Sequence, residues 1–298
     1  MDQLRGLTIL GAPKMIGIRG LPTYQHKGQY RCNVQGFEYK FVNGVWIPNT
    51  DPSEFAKGEI FEGVPGYQRN AVMAALTVCP GRCLMIDAGA HVGLLALQFH
   101  AYFQHVHAFE PLPTTFDALE ENVRLHLNFE KFHPNTAASF QRYCSALSDH
   151  VGTLRMGGKP NNNKSFSWMI RDDGPVEVKC RTIDTLELQT LDLIKLDIEG
   201  HELQALKGGE HTIRACRPVI LIEEKFDEAR LSSKWLMELG MIKVWRYQYD
   251  MIWVWPEHLH LVPRERGLVN WIPEADLVLP PVVGAEGTSN NNNPTDQP

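Results

Sequence analysis

The sequence predicts an α/β protein: a mostly parallel β-sheet with helices on both faces, a terminal antiparallel strand, and a β-rich extension in front. Three observations carry this expectation. From about residue 66, short apolar runs of strand length alternate with segments whose apolar residues recur at the helical period. The turn Asp87-Ala88-Gly89-Ala90-His91-Val92-Gly93 joins the first of these runs to a helix, and its glycines let the backbone bend tightly. Two final runs, 241–247 and 251–255, follow each other around residues 248–250 with no helix between them.

Residues 1–65 are rich in Gly, Pro and aromatic residues, and the runs 37–42 and 45–47 flank Asn43-Gly44, a hairpin signal. They form the expected β-rich extension, to which the residues assign no function. A domain over 66–283 follows. Its first helix is expected at 67–78, with Val72, Ala75 and Leu76 on one side. Residues 83–87 (CLMID) read as a strand, the stretch to about 103 as a helix, and 105–110 (HVHAFE) as the next strand. A helix at 114–127 carries Phe116, Leu119, Val123 and Leu127, with Thr114 or Thr115 as its cap. A strand is expected over 141–147, then antiparallel strands at 154–156 and 176–180 with a loop at 157–163 between them. Residues 191–197 (LDLIKLD) and 219–223 (VILIE) are further strands, followed by helices at 200–213 and 228–239. The polar, Asn-rich stretch 284–298 has no core-forming residues and is expected to be disordered.

Of the 298 residues, 43% are hydrophobic and 21% charged, an ordinary soluble composition. The net charge of −6 argues against a nucleic-acid backbone as partner, which calls for a basic face. Six scattered cysteines include no CxxC pair, so reduced core thiols are expected rather than a zinc or redox site. The start of the chain, with Asp2 early and an apolar run cut by Pro13 and Lys14, is a poor signal peptide. Residues 88–109 lack any Asp, Glu, Lys or Arg, but their histidines, glutamines and glycines fit a buried turn–helix–strand unit better than a membrane span. A cytoplasmic protein with no membrane partner is expected.

The glycine turn carries the chemistry. Ligands of doubly wound sheets lie beyond the carboxyl ends of the strands, where the strand order reverses. Glu110, at the end of the following strand, can accept hydrogen bonds from ribose hydroxyls there. A dinucleotide fingerprint would place a glycine at His91, for close approach to a pyrophosphate. His91 and the acid Asp87 instead suit a nucleoside ligand that has an ammonium and no phosphate, such as S-adenosylmethionine. An NAD-dependent oxidoreductase is the enzyme alternative, disfavoured by His91. A SAM-binding interaction protein without turnover is the non-enzymatic one.

These segments resemble the FkbM-type SAM-dependent methyltransferases. The matching pieces are IDAGAHVG (86–93), AFEPLPTTFDALEENVRLH (108–126), CSALSDHVGTL (144–154), TIDTL (182–186), LIKLDIEGHELQALKGG (193–209) and RPVILIEE (217–224), in the family's order. The resemblance implies a class I methyltransferase (Rossmann-like) fold, S-adenosylmethionine as cofactor, and O-methylation of a small molecule or glycan hydroxyl. By motif match it places Asp87, Gly89 and Gly93 at the methionine end of the cofactor, with His91 in the same loop. Glu110 would hold the ribose, and Ser145 and Ala146 would lie near the adenine. Ser165, in a polar loop over 161–168, is the substrate-side candidate.

A second constellation is Lys195-Leu196-Asp197-Ile198-Glu199-Gly200-His201-Glu202. Strand alternation puts Lys195 and Asp197 on one side, and Glu199 follows at the strand end. Asp197 is the expected base or acceptor-orienting group, with Glu199 and Lys195 beside it; the competing role for Asp197 is capping the next helix. No metal site is expected, because Glu202 belongs to a helix leading away. The alternating pairs His105/His107 and His258/His260, and the aromatic residues Trp245, Tyr247, Tyr249, Trp253 and Trp255, read as packing.

Overall fold

The computed structural model describes residues 24–26, 29–42, 44–51, 64–130, 139–158, 168–224, 231–264 and 270–279. The expected tail at 284–298 and most of the loop carrying Ser165 lie outside them. The extension is an antiparallel meander of β1 (Tyr24–His26), β2 (Gln29–Val34), β3 (Phe37–Val42) and β4 (Val45–Pro48). Gly44 takes a φ of +93° at the turn between β3 and β4, the left-handed conformation that a tight hairpin requires.

Behind it come α1 (Arg69–Val78), β5 (Leu84–Ala88), α2 (Leu94–His100), β6 (His105–Phe109), α3 (Pro113–Glu130) and β7 (Ser139–Tyr143). Then follow β8 (Ala146–Leu147), β9 (Gly152–Gly158), β10 (Trp168–Ile170), β11 (Val176–Arg181) and β12 (Leu193–Leu196). The chain closes through α4 (Glu202–Lys207), α5 (Glu210–Cys216), β13 (Val219–Glu223), α6 (Leu231–Glu238), β14 (Ile242–Tyr247) and β15 (Asp250–Val254). The main sheet runs β14-β15-β13-β12-β5-β6-β7. Its strands β13, β12, β5, β6 and β7 pair in parallel, and β15 pairs antiparallel with both β13 and β14. The reversed strand thus sits one place in from the edge. The order turns back between β5 and β12, which makes the carboxyl ends of these strands the switch point.

Alternation along the strands feeds two cores. Met85, Val106, Ala108, Leu193, Val219 and Leu221 pack on one face with residues of α1, α2 and α3. Leu84, Ile86, Ala88, Ile194, Leu196, Ile220 and Ile222 pack on the other with α4, α5 and α6. The uncharged stretch 88–109 is the turn, α2 and β6 of this core, and no helix among the described residues is long and apolar enough to cross a membrane.

Three expectations change. The strand expected at 141–147 breaks after Tyr143, because the chain leaves the main sheet there. β8 then pairs in parallel with β11, in a second sheet of order β10-β9-β11-β8. The helix expected over 200–213 is two helices divided at Gly208-Gly209. A Cβ at Gly208 would stand 1.9 Å from the Ser148 carbonyl oxygen, so the chain has no room for a side chain at the break. Helix α3 starts at Pro113, a residue that costs nothing at a first helical position, so Thr114 and Thr115 lie inside its first turn and do not cap it.

The extension is fastened to α3 by the Tyr39 hydroxyl, which donates to the Thr114 carbonyl at 3.1 Å, and by a buried amide. Asn122 Oδ1 accepts the Trp46 N–H at 2.7 Å, and its Nδ2 donates to the Trp46 carbonyl at 3.0 Å and the Val92 carbonyl at 2.9 Å. Asn122→Ala strands all three buried backbone groups, each worth about 1–3 kcal/mol. The unfolding free energy should fall by at least about 2 kcal/mol in urea denaturation. An unchanged midpoint would show that the amide does not fasten the extension.

Candidate active site

Register builds the floor of the site. Lys195 pairs with Asp87 across β12 and β5, and both side chains point to the α1–α3 face. Lys195 Nζ lies 3.2 Å from Asp87 Oδ1, 3.9 Å from Asp197 Oδ2 and 3.2 Å from the Gly89 carbonyl oxygen. Asp87 is fully buried. Burial alone would push the Lys195 ammonium towards neutrality, but the charges of Asp87 and Asp197 outweigh it and hold its pKa above the usual lysine value. Burial raises the Asp87 carboxyl, with the ammonium opposing.

The glycine turn crosses directly over this floor. Gly89 has a φ of +75°, and a Cβ there would lie 2.0 Å from the Asp197 carbonyl oxygen. That glycine is therefore required where two backbones cross. Gly93 has a φ of +98°, and a Cβ there would lie 2.7 Å from Leu119 Cδ1 of α3, so its role is helix packing at the start of α2. Between them His91 is held left-handed at φ +52°, a conformation costing a non-glycine residue about 1–2 kcal/mol. Its backbone N–H donates to Glu110 Oε2 at 3.1 Å, and its Nε2 lies 2.7 Å from Asp51 Oδ2. Glu110 Oε1 accepts the Leu112 N–H at 3.0 Å, so this buried carboxylate joins the turn to the start of α3. Each of its oxygens keeps a further lone pair for a ligand hydroxyl. Burial raises the Glu110 pKa; the His91 charge and the two backbone donors oppose.

The turn after β12 is also strained. Glu199 at φ +55° and Gly200 at φ +99° are both left-handed. Glu202 braces them, its Oε1 accepting the Ile198 and Gly200 N–H groups, both at 3.1 Å. These bonds hold the turn and not the helix N–H groups, no side chain among the described residues caps α4, and the Asp197 side chain lines the cavity, 24% exposed. Asp197, Glu199 and Glu223 each bring a carboxylate oxygen within 4.8 Å of the others, a donor set that a hard divalent cation accepts.

A cavity of about 720 Å³ opens above these turns, a volume typical of small-molecule sites. Gly89, His91, Glu110, Ser145, Ala146, Lys195, Asp197 and Glu199 line it together. Asp87 and Gly93 are not in its lining; Asp87 reaches it through Lys195. Ser165 lies outside the described residues. Ser145 Oγ is buried and has no hydrogen-bond partner among the described residues, an orphan that a ligand heteroatom could satisfy. Sequence reasoning missed the contributions of Asp51, Tyr67, Trp168 and His201 to the lining, and that of Glu223 to the acid cluster. Glu223 ends the VILIE strand beside β12, so its place was readable once the strand order was fixed. Nothing in the sequence links Asp51 to His91.

The strand order, with a reversed strand beside the edge and a glycine turn at the switch point, is that of the class I methyltransferases. The Methyltransferase FkbM domain matches residues 87–251, and the chain belongs to that family. It is 28% identical over 167 residues to methyltransferase sdnD of Sordaria araneosa, covering 43% of this chain and 61% of that protein. It is also 28% identical over 162 residues to the hexuronic acid methyltransferase AglP of Haloferax volcanii, covering 50% and 63%. A shorter match, 33% over 73 residues, joins it to the 2-O-methyltransferase NoeI of Sinorhizobium fredii, over 23% of this chain and 29% of that one. The chain thus spans at most about six-tenths of these relatives. A methyltransferase FkbM from Methylobacillus flagellatus superposes with a TM-score of 0.40 at 20% identity, over 57% of this chain and 43% of that one.

The floor makes a sharp prediction. Lys195→Met leaves the Asp87 carboxylate buried without its counter-charge, which should cost about 3–5 kcal/mol near neutral pH. A carboxyl with a raised folded pKa is penalised only where the unfolded chain would ionise it. The loss should therefore shrink as pH falls towards about 4, the unfolded aspartate value. Urea midpoints of both proteins between pH 4 and 8 test this, and a pH-independent loss would contradict it.

Proposed function

We propose that the chain is a methyltransferase dependent on S-adenosylmethionine, transferring the methyl group to a hydroxyl oxygen of a small molecule or glycan. The methyltransferase domain would be residues 66–283, with 1–65 as its extension. The observation that carries the reading is that Glu110 and Asp197, from the ends of β6 and β12, face one cavity across the Gly89 crossing. The fit to the cofactor rests on chemistry in the site. Asp51, Glu110, Asp197 and Glu199 line the cavity and favour a ligand bearing a sulfonium and an ammonium, while repelling a pyrophosphate. The orphaned Ser145 Oγ supplies a polar contact for an adenine edge. The acceptor class draws support from AglP and NoeI, named as a hexuronic acid and a 2-O-methyltransferase.

When bound, the cofactor supplies an activated methyl group and its own leaving group. The residues of the chain then have two tasks. Glu110 fixes the ribose and, through the His91 N–H, the turn beneath it. Asp197, held at its backbone by the Ala88 carbonyl at 3.2 Å and by Lys195 at its side chain, orients the acceptor hydroxyl and takes its proton.

Glu110→Gln should weaken S-adenosylhomocysteine binding about ten-fold or more by calorimetry, since an amide cannot accept from both backbone donors. Unchanged affinity would remove Glu110 from the ribose. Asp197→Asn should retain cofactor affinity and lose about 100-fold or more in turnover, measured with labelled methyl groups on a panel of uronic acids and vicinal diols. Equal loss of both would make its role structural. The convergence of Asp197, Glu199 and Glu223 favours one second reading, a cation-assisted reaction. Turnover that survives EDTA disposes of it, and loss restored by added Mg²⁺ would establish it.

A further inference from the structure

We infer that Asp51, delivered by the N-terminal sheet, is a positioning residue that turns His91 into the anchor for the α-carboxylate of the cofactor's amino-acid moiety. The inference rests on the cofactor reading above. Three residues lining the cavity among those described can carry positive charge: Lys195, His91 and His201. Lys195 is already engaged, bonding the Gly89 carbonyl and ion-paired with Asp87 at 3.2 Å and Asp197 at 3.9 Å. His201 holds Ser148 Oγ at 2.9 Å through Nε2, and burial lowers its pKa, which keeps it neutral. His91 remains. Its Nε2 is occupied by Asp51, its ring is 44% exposed, and no residue among those described bonds its Nδ1. A charged imidazole in that arrangement has one donor, Nδ1–H, left for a ligand anion.

The charges around the ring agree. Burial alone would lower the His91 pKa, but the hydrogen bond and charge of Asp51, then the charges of Glu110 and Asp197, raise it above the ordinary histidine value. The groups facing the pair are Asp51 from the N-terminal sheet, Glu110 from the end of β6 and Asp197 from the end of β12. Lys40 also interacts with Asp51, and Arg31 with Lys40. Asp51 itself is held in place by its N–H, which donates to the Pro48 carbonyl at 3.0 Å. The anchor exists while His91 is charged and is lost as pH rises through its raised pKa.

The test pairs a protein change with a ligand change. Wild type, Asp51→Asn and the conservative Asp51→Glu are titrated by calorimetry with S-adenosylmethionine and with its decarboxylated analogue, from pH 6 to 9. Asp51→Asn should bind S-adenosylmethionine about ten-fold or more weakly at neutral pH and bind the decarboxylated ligand as wild type does, with Asp51→Glu partly restoring the difference. Imidazole NMR should show the His91 titration moving to lower pH in Asp51→Asn, a shift readable in any variant that folds. Equal weakening for both ligands, or none, with wild type binding S-adenosylmethionine normally, overturns the anchor and leaves the cofactor reading intact. Failure of wild type to bind either ligand overturns both.

Discussion

A buried ammonium between two carboxylates sets the terms for everything above the sheet. Lys195 and Asp87 are register partners on the two strands that meet where the strand order reverses. Desolvating this pair is expensive, and its worth lies less in net stability than in what it fixes. The ammonium also bonds the Gly89 carbonyl and faces Asp197, so one group ties the glycine turn to the end of β12. The close crossing at Gly89 then follows. Of the two acids beside the ammonium, Asp87 is buried beneath it and Asp197 is the one that faces the cavity.

Much of this was legible in the sequence because it rests on local pattern. The strand–turn–helix junction at 84–100, the acid ending β6 and the Lys195/Asp197 alternation are all properties of consecutive residues. The illegible parts depend on what the chain meets elsewhere. Gly208-Gly209 divides a helix that the apolar period alone would continue, because the Ser148 backbone occupies the space. The departure of the chain from the main sheet after Tyr143 follows from pairing between β8 and β11, segments separated by some thirty residues. Glu202 is a first-turn acid of α4, and its second task, bracing the strained turn at Glu199-Gly200, is not visible in the sequence.

Glu110 and Glu202 do the same work on two sides of the cavity. Each is buried and accepts two backbone N–H groups, Glu202 both from the strained turn at 198–200 and Glu110 one from the glycine turn and one from Leu112 before α3. In each, burial raises the pKa and the backbone donors oppose. Strain of this kind persists only where the surroundings over-determine it, and carboxylates are effective for that purpose because a single group satisfies two donors at once. The ligand-facing loops are thereby shaped before any ligand arrives.

The extension takes its place in the same logic. Asn122 joins Trp46 of β4 to the Val92 carbonyl, and Asp51, three residues after β4, joins the ring of His91. The extension therefore reaches two consecutive residues of the glycine turn, the Val92 backbone through Asn122 of α3 and the His91 side chain through Asp51. Val92 and Leu94 share a core cluster with Trp46 and Ile47, so the grip is backed by apolar packing. A sheet added only as a cover would need none of these contacts. Here the turn that in a dinucleotide-binding protein would carry glycine at position 91 carries histidine. The left-handed strain at His91 is held by Glu110 on one side and Asp51 on the other, so the extension is a structural part of the glycine turn.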